Sequence, residues 1–364
     1  MEFNYLMPTK IYFGRAAIKK NKEALSGIGK KALIVTGKSS SKRNGSLKDV
    51  EEALTDLNIS YTIFDDVEEN PSLETIEKAA DLGKVQQVDF VIGIGGGSPL
   101  DAAKAVAVFI KNPEIKGEAV FRSGKLDNIP VVAVPTTSGT GSEVTQYSIV
   151  TVHSEETKRN LGQIVFPKIA FLDSSYTDHT PYPITVNTAI DAFTHLVESY
   201  LSRNATTMSD LYAEKGFELF KICFDRLAKK ELTEELREDL MMASMLGGIA
   251  IAQSGTALPH GMGYSLTYYH NVPHGLANGV LTVEYLRIFK DRSKIVRMLS
   301  LLGLETIQEL QDIFDALFTL DLKLSDDEIL KYASLFAENK DKLRNHPEEV
   351  TMKEIEGIYR NSLQ

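Results

Sequence analysis

The chain has 364 residues, 43% of them hydrophobic, and a formal net charge of −10. That length suits two domains with a sizeable core, and the acidic balance excludes a basic surface of the kind that binds nucleic acid or anionic membrane. Cys223 is the only cysteine, which excludes an intramolecular disulfide and fits a reducing compartment. Its setting, LFKICFDRL, marks it as a small buried hydrophobe.

The opening MEFNYLMPTKIYFG carries neither an apolar leader core nor an arginine-rich amphipathic stretch. No run of about twenty apolar residues follows, so a cytoplasmic protein without a membrane partner is expected. Within the opening, Lys10–Phe13 reads as an apolar strand. Further strands are predicted at Ala32–Thr36, Tyr61–Phe64, Phe90–Ile94, Val131–Val134 and Ile169–Leu172, with helical patterns between most of them, among them Leu73–Leu82 and Pro99–Val108. Alternating strand and helix implies a parallel sheet covered on both faces. From about Thr185 the strand signal stops and helix follows helix, with capping boxes at Ser325/Glu328 and Thr351/Glu354. The fold class expected is therefore a Rossmann-like α/β domain over 1–178 and an all-α domain over 179–364, the switch falling in SSYTDHTPYP.

Two loops in the first half carry chemistry. Residues 90–104, FVIGIGGGSPLDAAK, run from a strand through Gly95, Gly96 and Gly97 into a helix. Ser98 is read as its N-cap, Pro99 as its first residue and Asp101 as its third. Glycines let backbone approach a ligand, and the free N–H groups of a helix start favour a phosphate. This is the layout that binds a dinucleotide pyrophosphate, although Ser98 replaces the last glycine of the usual pattern; a simple tight turn is the alternative. The second loop, VPTTSGTGSEVT at 134–145, carries six hydroxyl side chains, Ser142 among them. It can cap a turn or offer donors to a ribose or nicotinamide.

In the second half, Asp191 and His195 stand four residues apart in DAFTHLVES, which places both on one helix face. His260 in ALPHGMGYS and His274 in NVPHGLANG complete a set of one carboxylate and three imidazoles. Pro273 separates the last two, so His260 is assigned to one helix and His274 to the start of the next. Such a set suits Fe(II) or Zn(II) and not Mg or Ca; ligand type alone does not choose between iron and zinc.

Taken together these segments resemble the iron-containing (group III) alcohol dehydrogenase family. The likeness covers nearly the whole chain and is carried by PTKIYFG, Asn70-Pro71, GGGSPLDAAK, PTTSGTGSEVT, the DAFTH helix and HGMGYSLTYYHNVPHGLANGV. It implies an active site in the cleft between the two domains. It also implies that Asp191, His195, His260 and His274 bind the metal, and that Gly96, Gly97 and Ser98 hold the pyrophosphate. Thr136, Thr137 and Thr145 would contact the cofactor, with Asn70 and Lys158 beside them; Gly95, Asp101 and Ser142 join the cofactor candidates through their two loops. His270 is expected to line the cleft and relay a proton, with a purely structural role as the alternative. Tyr264 and Ser265 stand where relatives vary. The implied reaction is hydride transfer between a nicotinamide and a small alcohol, diol or aldehyde whose oxygen the metal polarises.

In that family an Asp ends the first strand; here IVTGKSSSKRNG puts Gly37 in its place, followed by Lys38, Ser39, Ser40, Lys42 and Arg43. Without the carboxylate a 2′-phosphate is not repelled, and serines and cations can bind it. NADP is therefore expected in preference to NAD. The competing expectations are a zinc-dependent, glycerol dehydrogenase-like polyol oxidation, a dehydroquinate synthase-like lyase and a silent binding protein. The segment from His260 to Val280 holds no Lys or Arg, which disfavours the anionic substrate of the lyase. Intact metal ligands disfavour the silent protein. A homodimer or larger homo-oligomer is expected, with Lys10–Phe13 pairing across a subunit edge.

Overall fold

A computed structural model describes residues 3–364. They divide into two compact units, one over 7–180 and the other over 181–364 together with residues 3–6. The first unit holds β1 (Lys10–Phe13), β2 (Lys31–Gly37), β3 (Ser60–Val67), β4 (Phe90–Gly95), β5 (Val131–Pro135), β6 (Ile149–Val152), β7 (Thr157–Asn160) and β8 (Ile169–Leu172). Its α-helices are α1 (Ala17–Asn21), α2 (Ser40–Arg43), α3 (Ser46–Asp56), α4 (Leu73–Val85) and α5 (Gly97–Lys111).

Six strands form one sheet in the order β1-β8-β5-β4-β2-β3, and every pairing is parallel. Successive strand residues point to opposite faces. Leu33 and Val35 of β2 accordingly pack with Ile76 of α4 and Val106 of α5, while Ala32 and Ile34 pack with Ile18 of α1 and Val50 of α3. Both faces are thus buried, which is why these strands read as continuous apolar runs. β2 pairs with β3 on one side and β4 on the other, so the chain reverses its winding direction between β2 and β4. In open α/β sheets ligands bind beyond the carboxyl ends of the strands at such a point. Gly37 and Gly95 sit at those ends.

β6 and β7 form a separate antiparallel pair that the sequence reading does not contain. They are four residues each and TKRN has no apolar alternation. β1 forms where expected, but its partner is β8 of its own chain. β1 lies at the sheet edge, and no strand covers its other side among the described residues.

The second unit is helical: α6 (Tyr182–Tyr200), α7 (Thr207–Ala228), α8 (Glu234–Ser254), α9 (Leu258–His270), α10 (His274–Arg287), α11 (Ser293–Leu302), α12 (Ile307–Leu317), α13 (Asp326–Ala337), α14 (Lys340–Asn345) and α15 (Met352–Leu363). Both predicted capping boxes are present, at Ser325/Glu328 and Thr351/Glu354. α6 is buried along most of its length because its neighbours wrap it. Phe193 meets Phe217, Phe220, Phe224 and Phe314 edge-on at 5.1–6.0 Å between ring centres. Residues 3–6 belong with these helices. Tyr5 stacks on Tyr212 at 6.1 Å, and Leu6 N donates to Gln253 Oε1 at 3.2 Å. A single boundary near 178 places those residues in the first domain; the structure does not.

No single helix among the described residues is long and apolar enough to cross a membrane; α8 and α9, bent by 111° at their junction, pass only when taken as a pair.

Candidate metal centre and cofactor turn

The glycine turn leaves β4 at Gly95, whose φ of 149° is open to glycine alone. Helix α5 starts earlier than the sequence implies. Gly96 is its N-cap and Leu100 N donates to Gly96 O at 3.3 Å, so Gly97 is the first residue, Ser98 the second and Asp101 the fifth. Ser98 therefore does not cap the helix. Its Oγ accepts instead from Asn70 N at 3.0 Å. Asn70 takes a left-handed φ of 57°, and its Oδ1 accepts from Lys158 Nζ at 2.7 Å. Ser98, Asn70 and Lys158, far apart in sequence, thus form one linked group beside the turn.

The threonine loop follows β5 and lies against the same turn. Thr136 N donates to Gly95 O at 2.9 Å. A Cβ on Gly96 would stand 3.1 Å from Thr137 Oγ1, and one on Gly97 only 2.6 Å from Thr140 Cγ2. Gly97 is glycine because the Thr140 methyl occupies that space.

Asp101, Ser142 and Thr145 take part in internal hydrogen bonds. Ser142 Oγ donates to Asp101 Oδ1 at 2.5 Å, and Asp101 Oδ2 accepts from Ile149 N at 2.9 Å. The residue that joins them is Lys104, fully buried, which donates to Ser142 Oγ, Thr145 Oγ1 and Tyr147 O. The sequence reading missed Lys104. Its position inside an otherwise apolar run of α5 was the available signal.

Gly37 ends β2, and a Cβ there would meet Val67 O at 3.4 Å, an ordinary contact. Ser39 precedes the short α2, which contains Ser40, Lys42 and Arg43. The lysines expected to meet a 2′-phosphate already face carboxylates. Lys38 Nζ lies 2.9 Å from Asp66 and Lys42 Nζ 2.5 Å from Asp65. All four side chains are about half exposed or more, so these pairs are weak and an anion can compete for the lysines.

Asp191 and His195 share one face of α6, and both are buried. His260 is the third residue of α9 and His274 the first of α10. Ligand atoms of Asp191, His195 and His260 lie within 4.8 Å of one another. His260 Nε2 is 3.4 Å from Asp191 Oδ1, and His274 Nε2 is 3.8 Å from the same oxygen. Ligand bonds of about 2.1 Å place neighbouring ligand atoms roughly 3–3.5 Å apart, so the 3.4 Å between His260 and Asp191 suits a shared ion, while His274 approaches Asp191 but lies outside the three-residue group. His260 Nε2 is buried without a hydrogen-bond partner, the state expected of a ligand nitrogen. His274 is the most exposed of the four, at 28% for its side chain.

The approach of α10 to α6 depends on Gly275. A Cβ there would fall 1.9 Å from Asn187 O and 2.9 Å from the Asp191 Cβ. Any side chain would push His274 away from Asp191. Asn187 also caps α10 from α6, its Oδ1 accepting from Leu276 N at 3.1 Å.

Two buried residues around the ligands were not found from sequence. Glu198 Oε2 bonds His260 Nδ1, while Oε1 accepts from Ala257 N at 2.7 Å and His260 N at 3.3 Å. Burial disfavours its charge, but His260, Lys342 and the Ala257 N–H outweigh that and hold its pKa below the ordinary value. Burial likewise opposes the Asp191 charge, and the three imidazoles overcome it, leaving Asp191 well below the usual carboxylate range. Asn278 Nδ2 donates to Asp191 Oδ1 at 3.2 Å and stands 3.2 Å from His274 Nε2. Glu198 is three residues after His195 and Asn278 four after His274, which puts each on the helix face of a ligand but does not reveal which group it supports.

His270 is not brought to this group. It ends α9, ten residues and about 15 Å along the helix axis from His260. Its Nε2 is 2.8 Å from Tyr332 OH and 3.5 Å from Glu328 Oε1. Those partners hold it against α13, as in the structural alternative. The ring that does reach a ligand is Tyr264, one turn after His260, stacked on His274 at 6.0 Å.

Comparison with known proteins shows the family to which the chain belongs. The profile of iron-containing alcohol dehydrogenase matches residues 8–174, and that of the Fe-containing alcohol dehydrogenase C-terminal domain matches 185–363. A NADPH-dependent butanol dehydrogenase of Clostridium saccharobutylicum is 32% identical over 320 residues, 85% of this chain and 80% of that protein. A lactaldehyde reductase of Escherichia coli K12 is 29% identical over 288 residues, 77% of this chain and 74% of that protein. The crystal structure of an iron-containing alcohol dehydrogenase from Thermotoga maritima superposes with a TM-score of 0.91 at 39% identity, covering 100% of this chain and 99% of that one. A sequence matched across both domains, with the same fold throughout, establishes that the chain is an enzyme of the iron-containing alcohol dehydrogenase family, the NAD(P)-dependent oxidoreductases of alcohols and aldehydes.

Proposed function

We propose that Asp191, His195, His260 and His274 hold an iron(II) ion, and that the turn from Gly95 to Ser98 holds the pyrophosphate of NADP in preference to NAD. The substrate is a small neutral aldehyde, or the alcohol or diol it comes from. The observation that carries the reading is the convergence of Asp191, His195 and His260 from two helices, within 4.8 Å. When bound, the metal supplies Lewis acidity at the substrate oxygen and the nicotinamide supplies or accepts the hydride.

The protein's own residues prepare the site. Glu198 keeps a proton on His260 Nδ1, which leaves the Nε2 lone pair for the ion and fixes the ring. Asn278 steadies Asp191 and aligns His274. Tyr264 lays an aromatic wall against His274, and the absence of Lys and Arg between 260 and 280 favours an uncharged substrate. The N–H groups of Gly97 and Ser98 at the start of α5 have no intrahelical partner, which supports their use as donors to a phosphate. NADP also agrees with the cofactor in the name of the butanol dehydrogenase relative. The edge of β1, which no strand covers among the described residues, supports assembly into a homodimer or larger homo-oligomer through that strand.

The test is anaerobic turnover of metal-stripped protein reloaded with Fe(II) or Zn(II), following NADPH and NADH oxidation with short aldehydes. Iron-restored, NADPH-preferring reduction is expected. Restoration by zinc together with glycerol oxidation would favour the polyol reading, and no turnover with either ion would reject the metal assignment. Gly37→Asp is expected to move the NADP/NAD ratio of kcat/KM toward NAD by about tenfold or more, the worth of one charged hydrogen bond. The new side chain has room at that strand end. An unchanged ratio would remove Gly37 as the determinant.

A further inference from the structure

Beneath the glycine turn lies a buried ionic group that neither the metal nor the proposed cofactor contacts account for. Lys104 is 0% exposed. Its Nζ donates to Ser142 Oγ at 2.8 Å, Thr145 Oγ1 at 3.3 Å and Tyr147 O at 2.7 Å, and stands 3.9 Å from Asp101. Asp101, one turn earlier on α5, accepts from Ser142 Oγ and Ile149 N, and its carbonyl accepts from Ser148 Oγ at 2.7 Å. Two residues of α5 therefore anchor the chain from Ser142 to Ile149.

That chain segment is the continuation of the loop whose Thr137 and Thr140 side chains occupy the space a Cβ on Gly96 or Gly97 would need. Burying an ammonium with a helix carboxylate is expensive, and an apolar side chain would fill the same volume. An ammonium has three donors and can hold three separate points of a loop at fixed positions; an aliphatic side chain can hold none. We propose that Lys104 is a positioning residue for the nicotinamide cofactor, fixing the threonine loop against the glycine turn so that both present their donors to the bound dinucleotide. This role rests on the assignment of the cofactor to that turn.

The amine also has a measurable signature. Burial pulls its pKa down to about 8, against Asp101 and Glu143, which pull it up. Glu143, on the same loop, is itself pushed up to about 7 by burial, and burial raises Asp101 as well. The bonded state of Lys104 is the protonated one. It is complete at low pH and is lost as pH rises through the folded value.

The experiment is titration of the metal-loaded enzyme with NADPH and NADH between pH 6 and 9, for wild type, Lys104→Met, Asp101→Asn and Gly97→Ala. Lys104→Met is expected to raise the dissociation constants of both cofactors about tenfold or more. Metal content and kcat at saturating cofactor should stay within about twofold of wild type. Wild-type affinity is expected to fall above about pH 8, and the fall should be absent in Lys104→Met. Asp101→Asn keeps the shape but removes a charge that raises the amine pKa, so its fall should move to lower pH. That variant serves if Lys104→Met does not fold. Unchanged affinity in Lys104→Met, or an unmoved limb in Asp101→Asn, overturns the role. Gly97→Ala, whose Cβ would stand 2.6 Å from Thr140, reports on the turn itself. If it weakens cofactor binding while Lys104→Met does not, only the positioning role fails; if neither does, the cofactor assignment fails with it.

Discussion

His195→Ala is expected to abolish stable metal uptake by the purified protein and to lower kcat/KM for aldehyde reduction by about a thousandfold or more, the several kcal/mol that a Lewis acid supplies. His195 lies on the same buried face of α6 as Asp191, and its ring stacks on His260 at 4.3 Å. Alanine leaves the helix intact, since it is the best helix former, but removes one imidazole from the group. Cofactor affinity should remain near wild type, because the glycine turn belongs to the other compact unit. Metal content by elemental analysis and NADPH titration report the two effects separately. Retained metal at full stoichiometry would remove His195 from the ligand set.

The second large effect is expected at Glu198, which no ligand-spacing rule identifies. Glu198→Ala leaves Ala257 N, His260 N and His260 Nδ1 buried without their acceptor. Breaking a buried charged pair from one side costs roughly 3–5 kcal/mol, so the denaturant midpoint should fall well below wild type. Glu198→Gln keeps an acceptor but not the charge. It is expected to fold and to bind metal about 10–100-fold more weakly, as loss of a carboxylate behind a ligand histidine does. A Gln variant with wild-type metal affinity would show that the carboxylate serves folding alone.

Most of the fold was legible because its signals are local. The strands of the sheet are apolar runs with helices between them, and β2, β4 and β5 have both faces covered, which is why their runs are unbroken. The capping boxes at Ser325 and Thr351 need only four consecutive residues. The hairpin of β6 and β7 escaped because each strand has only four residues and β7, TKRN, is polar and resembles turn. Helix α5 was placed two residues late: Ser98 and Pro99 are good start signals, yet Gly96 takes the cap conformation and Asn70 claims the Ser98 hydroxyl. Capping preference lost to a contact made across 28 residues.

The sequence by itself determined which residue types were available for metal chemistry and on which elements. The four-residue spacing of Asp191 and His195 follows from helix geometry, and Pro273 separates the helices of His260 and His274. Only the tertiary structure decided which groups surround those ligands, because side chains of distant segments meet through packing that no spacing encodes. It placed Glu198 behind His260, Asn278 between Asp191 and His274, and Lys104 beneath the glycine turn. It paired Lys38 and Lys42 with Asp66 and Asp65 of the neighbouring strand. His270 stays away from the ligands because it shares α9 with His260, and a helix advances about 1.5 Å per residue, so the ten residues between them span about 15 Å.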